Sequence, residues 1–149
     1  MIISQLPALQ VILPLAAAPL CAILHHRILA WALTLLVSLI SLCFSYMLLN
    51  QVLIEDTITY AMGGWVAPWG IEYYIDKLTA YMLLIVNGIT VLVLLGAREI
   101  VESDIASDRI YLFYTAFLLN LTGLLGVITT GDAFNLFVFI EIASLSSYA

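Results

Sequence analysis

The sequence predicts an all-α integral membrane protein. About five transmembrane helices are expected, with a short external β-hairpin between the second and third, as a truncated part of a larger helical bundle. Three observations carry this. Hydrophobic residues make up 64% of the chain and charged residues 9%, with mean hydropathy +1.15; a soluble domain carries roughly 25% charge. Apolar runs of about the ~20 residues a span requires recur between short polar stretches. One connection alternates with period two rather than with the helical period. No basic patch points to nucleic acid, and most acids behind the net charge of −6 sit in two short loops.

The first span covers residues 6–24 and is interrupted by Pro7, Pro14 and Pro19, whose freed carbonyls neighbouring helices must satisfy. The start, MIISQLPALQ, has no Lys or Arg, so no cleaved signal peptide is expected and the first helix should remain. His25, His26 and Arg27 form a polar turn, read as an interfacial loop rather than a metal site. The second span is placed at 28–49. Thr34, Ser38, Ser41 and Ser45 fall on one face, a stripe of small hydroxyls suited to close helix packing. Cys21 and Cys43 are read as small buried residues, neither a disulfide nor a metal pair.

Residues 50–75 form the longest connection. Ile58, Tyr60 and Met62 alternate with Thr57, Thr59 and Ala61, and Ile71, Tyr73 and Ile75 with Glu72 and Tyr74. Turn residues Gly63, Gly64, Pro68 and Gly70 separate the two runs, predicting a hairpin on the membrane surface. Trp65, Trp69, Tyr60, Tyr73 and Tyr74 suit the headgroup layer. The third span, 77–97, opens on Asp76 as helix cap and carries Asn87 near its midpoint. A solvated acidic loop fills 98–108. The fourth span, 109–129, has Asn120 near its centre and a Thr122, Gly126, Thr130 packing repeat.

The fifth helix carries the chemistry. In GDAFNLFVFIEIASLSSYA a single carboxylate, Glu141, interrupts an apolar run. It lies about 12 Å beyond Ala133 at ~1.5 Å per residue, near the middle of a ~30 Å hydrocarbon layer. A charge there costs roughly 3 kcal/mol on insertion scales, and such residues usually face a protein interior and handle ions. Only 17 residues follow Asp132, without a polar stop, as in the front part of something longer. No Lys or Arg of this chain lies at that depth. One reading is a proton relay, with Glu141 paired to a cation from elsewhere; the other is a protonated carboxyl serving only helix packing, bonded to Asn120 or a helix carbonyl. Asn120, Asn87 and Ser144 are candidate polar neighbours. No metal site and no cofactor site is read from the chain. With the N-terminus external, Arg27, Arg98 and Arg109 lie inside and Lys77 outside, which obeys the positive-inside rule.

The runs Gly63-Gly64-Trp65 to Gly70-Ile71, Asp76-Lys77-Leu78-Thr79, and Thr130-Gly131-Asp132-Ala133-Phe134-Asn135-Leu136 with Phe139-Ile140-Glu141 resemble the antiporter-like subunit family. That family includes the D-type membrane subunits of Mrp-type sodium/proton antiporters and the proton-pumping membrane subunits of respiratory complex I and of membrane-bound hydrogenases. The wording is most similar to the Mrp D-type member. The resemblance implies that Glu141 matches an essential ion-handling glutamate. It implies that residues 1–108 form an N-terminal three-helix segment with its hairpin, and that 109–149 open the first antiporter-like repeat. It also implies a bundle of about fourteen helices, of which the later ones, bearing intramembrane lysines, are absent from this sequence. The expected function is that of a membrane subunit in a multisubunit monovalent cation (Na+)/proton antiporter of the inner or plasma membrane. Its partners would be the bilayer, other subunits, protons and monovalent cations. The alternatives are a proton-pumping subunit of a complex I-like or hydrogenase complex, or a non-transporting remnant.

Overall fold

The computed structural model describes residues 3–65 and 68–148. Its elements are α1 (Leu6–Leu24), α2 (Arg27–Glu55), β1 (Ile58–Ala61), β2 (Glu72–Ile75), α3 (Lys77–Gly96), α4 (Arg98–Asp104), α5 (Ile110–Thr129) and α6 (Ala133–Tyr148). Four helices are long and apolar enough to cross a membrane, and α6 adds a shorter apolar helix of 16 residues. The chain is a multi-pass, helical membrane protein.

α1 runs unbroken through Pro14 and Pro19. Pro7 sits in its first turn, where the missing N–H has no bond to lose. His25 closes α1 in the left-handed conformation, and the His26 ring accepts the Leu29 N–H to cap α2. α2 is longer than residues 28–49. Its last turn projects past the apolar run, and Gln51 bonds Glu55 at one-turn spacing, so polar residues extend the helix instead of ending it. Within 98–108 the expected loop contains α4, braced by an Arg98–Glu102 ion pair at 3.2 Å.

The hairpin forms as expected, with Ile58 opposite Ile75 and Tyr60 opposite Tyr73. Gly63 and Gly64 both take positive φ, a turn conformation most side chains resist. Residues 66 and 67 of the connection lie outside the described residues. Asp76 caps α3, its Oδ1 accepting the Thr79 N–H at 2.7 Å.

α5 is central: α1, α2, α3 and α6 all pack on it. One apolar cluster joins Ala17, Cys21, Ala30, Leu94, Ile110, Tyr114 and Leu118; a second joins Leu6, Leu48, Leu83, Leu121 and Leu125. Thr34, Ser38, Ser41 and Ser45 are all fully buried, as a packing stripe requires. Cys43 corrects the reading that both cysteines are buried. It lies on the α2 face opposite that stripe and is exposed, whereas Cys21 is buried.

Candidate functional site

The site is built on α5, the turn after it, and α6. Two glycines let the helices touch. A Cβ on Gly123 would come within 2.7 Å of the Ala143 backbone N and Cβ, and one on Gly126 would strike the Phe139 ring. Thr122 and Thr129, on the same side of α5, return their hydroxyls to the carbonyls of Leu118 and Leu125. Gly126 of the expected Thr122, Gly126, Thr130 repeat therefore lies in the contact. Gly123 belongs to it too, and its position one residue after Thr122 was the available signal.

The α5–α6 turn is fixed from outside by the hairpin. Tyr73 pairs with Thr130 as an isolated antiparallel bridge, and the Gly131 N–H donates to the Glu72 carbonyl at 2.9 Å. Asn135, buried in the first turn of α6, donates to Thr130 Oγ1 at 3.2 Å and also meets the Tyr73 phenol. Tyr73 is buried, which corrects its expected place among the headgroup-facing aromatics; Trp65, Trp69 and Tyr74 are the exposed ones. Burial pushes the Tyr73 phenol above its usual pKa, and the bond to Asn135 offsets part of that. Tyr60 stacks on Tyr73 at 6.4 Å and donates to Gln5 Oε1, which carries the network to the start of α1. Asn135 was not singled out from the sequence. Its marks were a place in the Thr130–Leu136 run that carries the family resemblance and a position one turn into a helix, five residues after a Thr.

α6 turns Asn135, Phe139 and Ser146 inward. Glu141 lies on the other side and is exposed. Around it on the same face, by three- and four-residue spacing, stand Phe134 (71% exposed), Phe137 (62%), Leu145 (66%) and Tyr148 (87%). The carboxylate is thus the centre of an aromatic and aliphatic face that the described residues leave uncovered.

The other candidate residues go to different places. Asn120 Oδ1 accepts from the Ser147 hydroxyl at 3.2 Å. With Phe113, Ala116, Phe117 and Ser146, this pair lines a groove of about 290 Å³ between α5 and α6. Ser144 is half-buried and does not line that groove. Asn87 is drawn into α2, donating to Ser45 Oγ at 2.6 Å and to its own Leu83 carbonyl at 3.0 Å. Among the described residues, no hydrogen bond joins Asn87, Asn120 or Ser144 to Glu141, and no group of three His, Cys, Asp or Glu side chains forms a metal-ligand cluster.

No family model matches the chain. It is 34% identical over 149 residues to the N-type subunit of the NADH-quinone oxidoreductase of Desulforudis audaxviator, covering 98% of this chain and 30% of that protein. It is 31% identical over 158 residues to the D-type subunit of the probable K(+)/H(+) antiporter of Rhizobium meliloti, covering 98% of this chain and 28% of that protein. Among solved structures, it superposes on a chain of the membrane-bound sulfane sulfur reductase, an archaeal respiratory membrane complex, with TM-score 0.84 and 31% identity over 97% of this chain and 29% of that one. The Mrp complex from Dietzia shares the fold, with TM-score 0.83 at 23% identity over 99% of this chain and 27% of that one. The chain spans less than a third of the length of these relatives. Matched along nearly its whole length by D-type antiporter subunits and N-type NADH-quinone oxidoreductase subunits, it belongs to the antiporter-like family of membrane subunits.

Proposed function

We propose that this chain is part of a membrane subunit of a multisubunit monovalent cation/proton antiporter, and that Glu141 carries protons in the complete assembly. The observation that carries the reading is Glu141 itself, a lone carboxylate at the centre of an uncovered apolar face. Left against lipid, that charge would cost roughly 3 kcal/mol or more. A protein surface bearing a cation offsets the cost and supplies the partner with which a proton can be exchanged. Matches to D-type subunits of K(+)/H(+) and Na(+)/H(+) antiporters support the substrate class.

Residues 109–149 open the first antiporter-like repeat, although the apolar core runs across the 108/109 boundary. The N-terminus and hairpin face outward, since Arg27, Arg98 and Arg109 then lie on the inner side. The chain acts as a transporter component rather than as a catalytic enzyme.

The second reading, a proton-pumping subunit of a respiratory complex, is favoured by the 34% identity to the NADH-quinone oxidoreductase subunit. Glu141 has the same role in both. The test is Glu141→Gln in the full-length subunit within its complex, reconstituted in vesicles. Proton flux should vanish while assembly persists, and flux at the original rate would overturn the role. Dependence of that flux on Na+ or K+ supports the antiporter reading; dependence on an electron donor supports the respiratory one.

A further inference from the structure

Away from the α5–α6 face, a second polar centre lies wholly inside the protein. Gln10 of α1, Ser38, Ser41 and Ser45 of α2, and Asn87 of α3 have no exposed surface. Ser45 is the node. Its hydroxyl donates to the Ser41 carbonyl at 3.0 Å and accepts the Gln10 amide at 2.8 Å and the Asn87 amide at 2.6 Å. One donor and two lone pairs are all a serine hydroxyl has, so it has nothing further to give.

The orientation of both amides follows. The Asn87 nitrogen must face Ser45, because it also donates to the Leu83 carbonyl, which can only accept. The Gln10 nitrogen faces Ser45 and Ser41, because the Ser45 proton is already committed. This leaves Gln10 Oε1, Asn87 Oδ1 and Ser38 Oγ buried without partners among the described residues. Buried polar atoms in folded proteins are bonded with few exceptions, commonly to ordered water when no protein group reaches them.

We propose that α1, α2 and α3 enclose an internal water-binding site whose protein ligands are Gln10 Oε1, Asn87 Oδ1 and Ser38 Oγ. The unmet atoms define the guest. Two are carbonyl oxygens that only accept, so it must donate protons or carry positive charge. No carboxylate belongs to the cluster, so a bare cation in this low-dielectric interior would be uncompensated. Water donates two protons and carries no charge. Its Ser38 contact completes the bonding, since a hydroxyl donates as well as accepts.

The test uses the full-length subunit in its complex. Density maps that resolve ordered solvent should show an isolated peak within hydrogen-bond distance of at least two of the three atoms. Bare atoms in such a map, or a protein group from elsewhere in the complex bonded to them, overturn the proposal. Thermal unfolding supplies the second arm. With water bound, any difference in melting temperature between NaCl, KCl and choline chloride should be the same in Asn87→Leu as in wild type. A rise in Na+ or K+ that Asn87→Leu abolishes would identify a cation and overturn water. Gln10→Leu combined with Asn87→Leu should remove the peak, and persistence of the peak in that variant would also refute the assignment.

Discussion

The Phe139 ring occupies the space that a side chain on Gly126 would take. One turn away, Gly123 stands against the backbone of Ala143. Gly126→Ala should therefore force the ring out of its seat, and Gly123→Val should push α6 off α5, because backbone cannot swing aside. Overpacking of this kind costs about 1–3 kcal/mol. Gly88 and Gly96 have open space around the position of an added Cβ, and alanine there should be neutral or stabilising by up to ~1 kcal/mol. Thermal unfolding of the full-length subunit distinguishes the two classes, and equal melting temperatures for all four variants would contradict the packing.

The hairpin holds the entry of the Glu141 helix. Tyr73 and Glu72 pair with Thr130 and Gly131 through the backbone, and Asn135 ties the first turn of α6 to both Thr130 and Tyr73. Asn135→Ala removes its bond to Thr130 and its contact with the Tyr73 phenol, and Tyr73→Phe removes that contact alone. Each lost bond should cost about 1 kcal/mol. The Gly131 amide, bonded to the Glu72 carbonyl, should then exchange its hydrogen faster, and faster in Asn135→Ala than in Tyr73→Phe. Unchanged exchange in both variants would show that the side chains do not hold the latch.

Much of this fold was legible in the sequence because each feature rests on a local pattern. The α1 bounds, the hairpin, the Asp76 cap and the α2 hydroxyl stripe all follow from spacing within one segment. The end of α2 was not legible, because Asn50 and Gln51 read as loop residues until the Gln51–Glu55 bond is seen. Tyr73 was misplaced for a related reason. Period two says that alternate residues share a face, but not which face meets protein. Asn87 and Asn120 both sit at mid-helix in the sequence, and only packing directs one to Ser45 and the other to Ser147.

Asp76 gives a pH prediction. The Thr79 N–H bond holds its carboxyl below the usual range. A depressed folded-state pKa contributes stability above the unfolded value of about 4, and that contribution is lost as pH falls through the folded value. Asp76→Ala should cost ~1 kcal/mol at neutral pH, and the difference from wild type should shrink on acidification below pH ~4. Lys77 also lowers the Asp56 carboxyl, but that pair is solvent-exposed. Lys77→Ala should therefore leave the melting temperature unchanged at physiological salt. A larger loss from Lys77→Ala than from Asp76→Ala would reverse this ranking.

Asn120 separates an electrostatic neighbour of Glu141 from a packing residue. Its carbonyl accepts from Ser147 across the α5–α6 groove, and no bond connects it to the carboxylate. Asn120→Ala and Ser147→Ala should each lower the melting temperature. The double variant should be no worse than their coupling allows, with an interaction energy of about 0.5–1 kcal/mol. The pH profile of proton flux should be the same in Asn120→Ala as in wild type, because Asn120 bonds Ser147 of α6 and not the Glu141 carboxylate. A displaced profile, with the stability effects unchanged, would mean that Asn120 reaches Glu141 once the open face of α6 is covered.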